Sequence, residues 1–321
     1  MGIHRRRGAM HPAARGPARN PALYPDRLPG VVNRPPDPQG TLYVVATPIG
    51  HLDDITLRAL NVLSKSQVIA CEDTRVTRGL LTRHGLKARL VSCHRFNEAR
   101  RADDILKVLN RGETAAYVTD GGTPAISDPG AVLIQRVRDE GHRVIPIPGP
   151  SALTALLSVS GWGSTAFTFL GFLPHRKGER RRALEAVRNE PRPLLFFESP
   201  HRLRASLDDA VEVLGDRGAF LGREMTKIYE EFLSGTLGSI REALAGRTIR
   251  GEVAILVEGI PAGSPQPAAS EEPPEPPAES VRRLIEAGWD RREALRKVAR
   301  ERGISRREIY RSLMVRKERR K

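Results

Sequence analysis

Short apolar runs alternate with segments of helical periodicity from Thr41 onward. The apolar runs predict five strands, at residues 41–47, 67–72, 88–92, 114–119 and 142–147. Apolar residues at helical spacing predict four helices in the same region, at residues 56–65, 74–84, 97–110 and 130–141. Strands that are apolar throughout and separated by helices are typical of a parallel sheet covered on both faces. The pattern therefore predicts an N-terminal α/β lobe over residues 39–150.

The same alternation continues over residues 151–260 with less regular spacing. It predicts a second set of elements: strands at 166–171, 193–198, 218–223 and 252–258, helices at 178–189 and 201–214, and an extra strand or hairpin arm at 228–237. We interpret this region as a second, C-terminal α/β lobe. Ligands of α/β sheets bind outside the carboxyl ends of the strands, so the loops that follow strands are where a site is expected.

Segments of different composition flank the two lobes. Residues 1–38 are basic and rich in proline, which predicts a disordered arm. Residues 261–279 are acidic and rich in proline, which predicts a linker with no means of packing. The remaining residues, 280–321, are expected to form a separate basic tail.

Helix-capping signals organise this tail. Asp290 and Glu293 form one capping-box pattern, and Ser305 and Glu308 form another. Together with a glycine between them, these signals predict an arrangement that resembles a helix-turn-helix, with helices at 280–287, 291–302 and 306–316. Its small core is predicted to consist of Leu295, Val298, Ile304, Ile309 and Leu313.

Net charge is concentrated in the tail. The chain has a formal charge of +15, and residues 280–321 hold 16 basic and 6 acidic residues, or +10 of that charge. This asymmetry favours a polyanionic partner such as nucleic acid, the alternative being a solvated basic tail. The apolar runs fall far short of the roughly 20 residues that span a bilayer, so no membrane association is expected. Cys71 and Cys93 provide neither a disulfide framework nor a metal site, which favours a reduced, cytoplasmic protein.

Loops rich in glycine and proline follow three of the predicted strands: TPIGHLDD at 47–54, TDGGTPAISDPG at 119–130 and PIPGPSA at 146–152. Glycine lets main-chain groups approach a ligand closely, and proline fixes the shape of a loop. The chain contains no P-loop, no G-x-G-x-x-G, no H-E-x-x-H and no G-x-S-x-G. Each loop alone is more simply explained as an ordinary turn. Three of them at strand ends predict a small-molecule cleft lined by backbone.

These loops belong to a longer series of motifs. In chain order the series runs TPIG (47–50), CEDTR (71–75), HRFNE (94–98), TDGGTPAISDPG, PIPGPSA, GFLP (171–174), ESPHR (198–202), REMTK (223–227) and GEVAILVEG (251–259). It resembles the 16S rRNA cytidine 2′-O-methyltransferases known as ribosomal small-subunit methyltransferase I, a family of the tetrapyrrole-methylase-like class. The resemblance covers about residues 40–260 and resumes over 280–315. Two positions depart from the family pattern, which usually has alanine at Gly121 and asparagine at His51.

The resemblance implies two α/β lobes with S-adenosylmethionine bound in the cleft between them, and usually a homodimer. It implies methyl transfer to the ribose 2′-OH of a cytidine in the decoding region of 16S rRNA, within the small ribosomal subunit. The residues that it implies for cofactor binding are Pro48, Ile49, Asp120, Gly121, Gly122, Pro124, Ile126, Ser127, Pro148, Gly149, Ser151, Ala152, Phe172, Leu173, Glu252 and Ala254.

The residues expected to position the substrate or act as base follow the second and third strands: Glu72, Asp73, Arg75, His94, Asn97 and Glu98. The acceptor hydroxyl is a weak acid that loses its proton as the methyl group moves, and a general base assists this loss. The alternative for these residues is a helix cap or a surface ion pair. No base can be assigned from the sequence.

Further residues expected to bind the substrate are Glu198, Arg202, Arg176 and Lys177. The last two belong to a larger basic set that suits contacts with the RNA backbone, although each member alone is more simply a solvated charge: Arg100, Arg101, Arg176, Lys177, Arg180, Arg181 and Arg182. For Glu198 the alternative is a structural cap at a strand end. Two other functions stay open, namely C-methylation of a tetrapyrrole by an enzyme of the same superfamily and non-catalytic rRNA binding by an assembly factor.

Overall fold

The computed structural model describes residues 40–163, 166–260, 276–302, 304–305 and 308–310. The chain divides into two compact units between Ala152 and Leu153, next to the lobe boundary predicted at 150/151. The predicted arm at 1–38, most of the predicted linker and most of the last predicted helix lie outside the described residues. No helix in the described part of the chain is long and apolar enough to cross a membrane.

The first unit contains one five-stranded sheet. Its strands are β1 (Thr41–Val45), β2 (Val68–Cys71), β3 (Leu90–Ser92), β4 (Thr114–Val118) and β5 (Arg143–Ile147). Its helices are α1 (Leu57–Lys65), α2 (Thr74–Arg83), α3 (Glu98–Leu109) and α4 (Ala131–Asp139), with a 3₁₀ turn at Leu52–Asp54. The strand order is β3-β2-β4-β1-β5, and every neighbouring pair is parallel. The predicted parallel sheet is confirmed.

Helices cover both faces of this sheet, as the apolar strands predicted. Residues of one strand alternate between the faces, so Tyr117 packs with residues of α3 and α4 while its neighbour Val118 packs with residues of α1 and α2. Both side chains are fully buried. The helices present apolar stripes at helical spacing, which explains why the sequence pattern located their ends to within two residues.

The second unit contains a mixed sheet. After α5 (Ala152–Val159), its elements are β6 (Thr168–Phe172), α6 (Lys177–Ala186), β7 (Leu194–Glu198), α7 (Leu203–Leu214), β8 (Gly218–Arg223), β9 (Glu231–Thr236), α8 (Leu237–Ala243) and β10 (Val253–Val257). The strand order is β6-β7-β10-β8-β9. Only β6 and β7 are parallel, because β10 runs antiparallel to both β7 and β8, and β8 and β9 form a hairpin.

The sequence pattern missed two helices of this unit. The α5 segment, ALTALLSV, is apolar on nearly all sides, so it lacks the polar face that marks a helix in sequence. The α8 helix begins directly at the end of β9, where Thr236 and Ser239 form a capping box. Because α8 has only seven residues, the strand pattern before it obscures its period.

The C-terminal helices are α9 (Pro277–Glu286) and α10 (Arg291–Arg302). The first begins three residues before its predicted start, because a proline suits the first turn of a helix, where its missing N–H is not needed. The capping box at Ser305 and Glu308 is confirmed, because the two residues bond reciprocally. At Asp290 the forward half of the predicted box forms, since Oδ1 accepts from the N–H groups of Arg292 and Glu293. The small core contains four of the predicted residues, Leu295, Val298, Ile304 and Ile309, while Leu313 lies outside the described residues.

Candidate active site

The candidate site lies at the carboxyl edge of the first sheet. Because all five strands are parallel, the loops that follow them emerge at the same edge. The strand order then sorts these loops into two groups. The three glycine- and proline-rich loops follow β4, β1 and β5, which are neighbours, and the polar clusters at Glu72 and His94 follow β2 and β3 on the other side. The edge therefore has a backbone-lined half and a half with titratable side chains.

Hydrogen bonds join the loops of the backbone-lined half. Thr47 and Gly122 exchange two N–H···O bonds of 2.9 Å each, which forms an isolated antiparallel bridge. The Thr47 hydroxyl donates to the carbonyl oxygen of Thr119 at 3.0 Å. The third loop is reached by Thr123 Oγ1, which lies 3.5 Å from the carbonyl oxygen of Pro150. These bonds hold the loops after β1, β4 and β5 as one framework.

Backbone segments of this framework pack too closely for most side chains. A Cβ at Gly149 would lie 3.1 Å from the Cβ of Ala46, and a Cβ at Gly121 would lie 3.2 Å from the carbonyl oxygen of Pro48. Alanine, the residue that the family pattern usually has at Gly121, therefore fits here only if the Pro48 carbonyl shifts by a few tenths of an ångström. Glycine at this position therefore suits the close approach of the Pro48 carbonyl in this chain.

Left-handed backbone shapes the tip of the central loop. Ala125 and Ser127 adopt φ angles of 65° and 64°, a region that non-glycine residues rarely occupy. The Ala125 N–H donates to the carbonyl oxygen of Pro129 at 3.2 Å, which holds the turn closed. Ile126, between the two strained residues, is 44% exposed. Such strain clusters at ligand sites because the surrounding structure must enforce it.

Glu72 and Asp120 link the two halves of the edge. The backbone N–H of Asp73 donates to Asp120 Oδ1 at 3.0 Å, and the backbone N–H of Asp120 bonds to the Glu72 carboxylate. Burial and the negative charge of Asp120 raise the pKa of Glu72. Partial desolvation and the charge of Asp73 raise the pKa of Asp120, although the residue is exposed at the surface. No group of three or more His, Cys, Asp or Glu side chains among the described residues could hold a metal ion.

Asp73 and Arg75 form the helix cap and surface ion pair that were the alternative to a catalytic role. Asp73 is the N-cap residue of α2 and accepts from the Arg75 backbone N–H at 2.8 Å. The Arg75 guanidinium also contacts both carboxylate oxygens of Asp73, the shortest distance being 2.5 Å. These hydrogen bonds lower the pKa of Asp73 to about 2. Asp73 is therefore a poor proton acceptor, which corrects its selection as a candidate base.

The cluster after β3 separates into a surface turn and a buried carboxylate. Asn97 Oδ1 accepts from the His94 backbone N–H at 2.8 Å, and Asn97 Nδ2 donates to the Ser92 carbonyl oxygen at 3.2 Å. Glu98 is only 6% exposed, and its Oε1 accepts from the Leu133 backbone N–H at 2.8 Å, in the first turn of α4. The selection of Glu98 as a catalytic residue is therefore corrected, because its carboxylate satisfies the start of another helix.

One prominent residue of this turn was missed by the sequence analysis. Phe96 lies between His94 and Asn97, and its side chain is 94% exposed. The signal in the sequence was an aromatic residue flanked by polar residues in the HRFNE motif, at the end of a strand. It was overlooked because an apolar residue near a helix start is usually interpreted as part of the core.

The cofactor-binding residues predicted in the second unit have different environments. Phe172 is 51% exposed and Glu252 is exposed, with a carboxylate oxygen 3.5 Å from Lys227 Nζ. Leu173 and Ala254 are each 2% exposed, and Ala254 lies in the central strand β10. The side chains of these two residues belong to the core of this unit, so only their main-chain groups are available to a ligand, and their role in cofactor binding stays a prediction.

Glu198 is a buried structural carboxylate and not an open substrate contact. It is 1% exposed and accepts from Ser206 Oγ at 2.5 Å and from the Ser199 N–H at 2.7 Å. Arg202 pairs with it at 2.6 Å and also donates to the carbonyl oxygen of Leu173 at 3.0 Å. This ion pair therefore fixes the GFLP loop from inside the unit, which corrects the prediction that Glu198 binds the substrate.

The basic cluster around α6 is only partly open to solvent. Arg176 and Lys177 have side chains that are 84% and 69% exposed. Arg180 differs, because its side chain is 5% exposed and pairs with the buried Asp209 at 2.6 Å. Its guanidinium also donates to the carbonyl oxygen of His175, which holds the chain just before the exposed pair. Arg180 is therefore a structural residue, neither free to contact an RNA backbone nor the solvated charge that was the alternative.

Comparison with known proteins identifies the family. Residues 41–241 match the family model "Tetrapyrrole (Corrin/Porphyrin) Methylases". The chain is 42% identical over 280 residues to the "Ribosomal RNA small subunit methyltransferase I" of Halalkalibacterium halodurans, covering 85% of this chain and 94% of the relative. It is 46% identical over 224 residues to the protein of the same name from Escherichia coli O157:H7, covering 69% of this chain and 78% of the relative.

Solved structures share the fold at much lower identity. Cobalt precorrin-4 methyltransferase, a cobalamin biosynthetic enzyme, matches with a TM-score of 0.54 and 18% identity, covering 71% of this chain and 98% of that one. The methyltransferase CobJ matches with a TM-score of 0.53 and 18% identity, covering 68% of this chain and 94% of that one. By its sequence and its fold, the chain belongs to the ribosomal RNA small subunit methyltransferase I family and is a methyltransferase of the tetrapyrrole methylase class.

Proposed function

We propose that this protein transfers a methyl group from S-adenosylmethionine to the ribose 2′-OH of a cytidine in the decoding region of 16S rRNA, within the small ribosomal subunit. The observation that carries the proposal is the division of the sheet edge into a backbone-lined half and a half with titratable side chains, in a chain 42–49% identical to proteins named rRNA small subunit methyltransferases. A group-transfer enzyme needs two such adjoining sites, one for the donor and one for the acceptor.

The backbone-lined half fits the cofactor. Its glycines let main-chain segments pack closely beside Pro48 and Ala46, so backbone groups rather than side chains line this half of the edge. Asp120 has a second carboxylate oxygen, Oδ2, without a hydrogen bond among the described residues. Main-chain groups around Ile49, Gly121 and Gly149 would hold the ligand, and Asp120 would accept from its hydroxyl or ammonium groups. A sulfonium needs no carboxylate cage, since its C–H groups can rest against carbonyl oxygens. When bound, S-adenosylmethionine supplies the electrophilic methyl group.

Glu72 is the general base in this proposal. A carboxylate with a raised pKa is a stronger proton acceptor, and Glu72 is half-buried beside Asp120. Glu72 would accept the proton of the acceptor hydroxyl as the oxygen–methyl bond forms and the methyl–sulfur bond of the donor breaks, which leaves a neutral thioether. His94 and Asn97 would position the nucleotide. A base of this kind contributes about 10²–10⁴-fold in rate. Alignment of the acceptor oxygen with the methyl group contributes about 7–11 kcal/mol, so positioning outweighs the base.

The basic surfaces of the chain support an RNA substrate. The +10 charge of residues 280–321 and the exposed Arg176 and Lys177 suit contacts with phosphates. The fold alone would equally suit a tetrapyrrole methyltransferase, but the relatives at 42–49% identity favour rRNA. We place the enzyme in the cytoplasm with the ribosome. We also propose that the protein is a homodimer, as the resemblance to the family implies.

Replacing Asp120 by alanine tests the donor site. The variant is expected to bind S-adenosylmethionine about 10- to 150-fold more weakly, because a hydrogen bond to a charged acceptor is lost. Binding to small ribosomal subunits should stay unchanged. Isothermal titration with the cofactor and subunit co-sedimentation measure the two effects, and Asp139→Ala, an exposed acid on α4, is the matched control. Wild-type cofactor affinity in Asp120→Ala would refute the assignment.

Mapping 2′-O-methylation in 16S rRNA from a deletion strain tests the proposed substrate. A decoding-region cytidine whose methylation is unchanged in that strain would refute the proposed substrate.

Removal of the C-terminal helices tests their role in binding RNA. Deletion of residues 276–321 takes away the separate small core of Val281, Ala294, Leu295, Val298 and Ile309 together with most of the net charge. The affinity for small subunits is expected to fall, and the slope of log K against log salt should become less steep because fewer counterions are released. Cofactor affinity should not change. Titrations at several salt concentrations measure this, and an unaltered slope would contradict the proposed role.

A further inference from the structure

Phe96 stands out among the apolar side chains of the first unit. Its ring is 94% exposed, whereas other large apolar residues of this unit are at most 47% exposed among those described. Single exposed apolar residues are common on protein surfaces, so exposure alone carries no conclusion.

The turn that carries Phe96 is fixed by hydrogen bonds. The His94 carbonyl oxygen accepts from the backbone N–H groups of Asn97 and Glu98, each at 3.0 Å. The Phe96 N–H is 3.3 Å from His94 Nδ1, and the two rings meet edge to face with centroids 6.1 Å apart. Asn97 anchors the turn to the Ser92 carbonyl oxygen at the end of β3. The ring is therefore presented to solvent by an ordered turn, at little entropic cost to a ligand that stacks on it.

The turn lies beside the proposed base. The Cys93 N–H donates to the carbonyl oxygen of Cys71 at 2.7 Å, and Glu72 is the next residue after Cys71. His94 and Glu72 each follow a residue of this bonded pair, so both lie at the carboxyl ends of the neighbouring strands β3 and β2. Phe96 thus adjoins the half of the edge that holds titratable side chains, on the side away from the backbone-lined loops.

Positive charge flanks the ring in sequence. Arg95 and Arg100 are exposed, and neither forms an ion pair with another residue that the structure describes. Single-stranded RNA is bound by aromatic rings that stack on its bases, combined with arginines that contact its backbone. An exposed ring between two available guanidinium groups has the composition of such a site.

We propose that Phe96 is a stacking platform for an unpaired base of the RNA substrate, next to the nucleotide whose ribose is methylated. The proposal rests on the proposed function, because it assigns the ring to the acceptor RNA of that reaction. Stacking on Phe96 holds the strand against the edge of the sheet, and Arg95 and Arg100 bind the adjoining phosphates. The platform positions the substrate and takes no part in proton transfer.

Two replacements of Phe96 separate stacking from general apolar contact. Phe96→Leu keeps an apolar side chain but removes the aromatic face, and Phe96→Trp enlarges that face. With unmethylated small subunits as substrate, Phe96→Leu is expected to raise KM about 5- to 150-fold with little change in kcat, the range that base–aromatic stacking supports. Phe96→Trp should keep a KM near that of the wild type. Cofactor affinity should be unchanged in both variants, and Val132→Ala, a change at a 47% exposed apolar residue on α4, should be silent.

Fluorescence of the Phe96→Trp variant tests the platform without the reaction. Stacked bases quench tryptophan, so a single-stranded RNA with the decoding-region sequence is expected to quench the added fluorescence over the background of the two native tryptophans. Absent quenching, or a wild-type KM in Phe96→Leu, would overturn the proposal. A change in oligomeric state in Phe96→Leu would also overturn it and assign the ring to a protein interface. Quenching by RNA in a protein that leaves 16S rRNA unmethylated would support the platform while refuting the proposed function.

Discussion

Replacement of Glu72 by glutamine is expected to lower kcat for rRNA methylation by about 10²–10⁴-fold, with cofactor and subunit affinities close to those of the wild type. Glutamine keeps the size and hydrogen-bonding capacity of the side chain but cannot accept the proton of the 2′-OH. Single-turnover methylation of small subunits measures the chemical step directly. Full activity of Glu72→Gln would show that alignment alone drives the reaction and that no base acts at this position.

The pH dependence of kcat provides a second test of Glu72 as the base. Burial and Asp120 raise the pKa of Glu72 above its ordinary value of 4.5, so the acidic limb of the kcat profile is expected above that pH and should vanish in Glu72→Gln. A carboxyl group with a raised pKa in the folded state binds its proton more tightly there than in the unfolded chain. Ionisation of Glu72 therefore costs stability as the pH rises from 4.5 through the folded pKa.

Thermal unfolding across pH measures this stability effect. Glu72→Gln should be at least as stable as the wild type at pH 7, and its advantage should disappear below about pH 4.5. Asp73→Asn is the control with the opposite sign. The pKa of Asp73 is lowered from 3.8 to about 2, so its contribution to stability is present above 3.8 and is lost as the pH falls toward 2. If Glu72→Gln were less stable than the wild type at pH 7, the inference that ionised Glu72 lowers the stability of the folded state would be contradicted.

Substitution of Gly130 by alanine is expected to lower the free energy of unfolding by about 2–5 kcal/mol. Gly130 ends the TDGGTPAISDPG motif and has a φ angle of 128°, in the region that disfavours side chains. A Cβ here would overlap the ring of Tyr117, which is fully buried in β4 and cannot move aside. The last glycine of the motif thus serves the packing of the loop against the sheet. Urea denaturation, followed through the unfolding transition of the first unit, measures the loss in the free energy of unfolding.

Gly141→Ala is the matched control for this change. Gly141 also has a positive φ, of 81°, but nothing lies within 4 Å of a Cβ built there. Alanine at this position must adopt an unfavourable positive φ but overlaps with no other atom. The substitution should therefore lower the free energy of unfolding by only about 1 kcal/mol. The difference between the two variants isolates the overlap with Tyr117. Equal losses in both would mean that the ring yields to the added methyl group.

The local pattern of apolar and polar residues was enough to predict most strands and helices of the first unit. Apolar runs such as 114–119 and helical periods such as 97–110 lie within a residue or two of the observed elements, because each element buries a face with its own characteristic spacing. The same rule failed at α5, whose apolar residues surround the helix. The tail shows the strength of local chemistry, since Asp290 and Ser305 each accept from the backbone N–H three residues ahead, as their spacing predicts.

The roles of individual carboxylates were not predictable in this way. Glu98 and Glu72 both occur in short polar motifs that follow a strand. Glu98 nevertheless accepts a hydrogen bond from the backbone N–H of Leu133, 35 residues away, whereas Glu72 stays half-buried beside Asp120. Glu198 likewise enters a buried ion pair with Arg202 and a bond to Ser206. Whether a carboxylate is a structural acceptor or a free base depends on which donors surround it, and donors from distant segments are not visible in a single motif.

The sequence by itself determined which segments form strands, helices and glycine-rich loops, because these depend on spacing and backbone freedom within a few residues. It also placed each candidate site at the end of a strand. Only the tertiary structure decided the strand order β3-β2-β4-β1-β5, which brings loops from residues 47, 120 and 148 together and sets Glu72 and Phe96 on the other side. That order follows from the packing of whole faces and long-range pairing, which minimise exposed apolar area over the entire unit rather than along the chain.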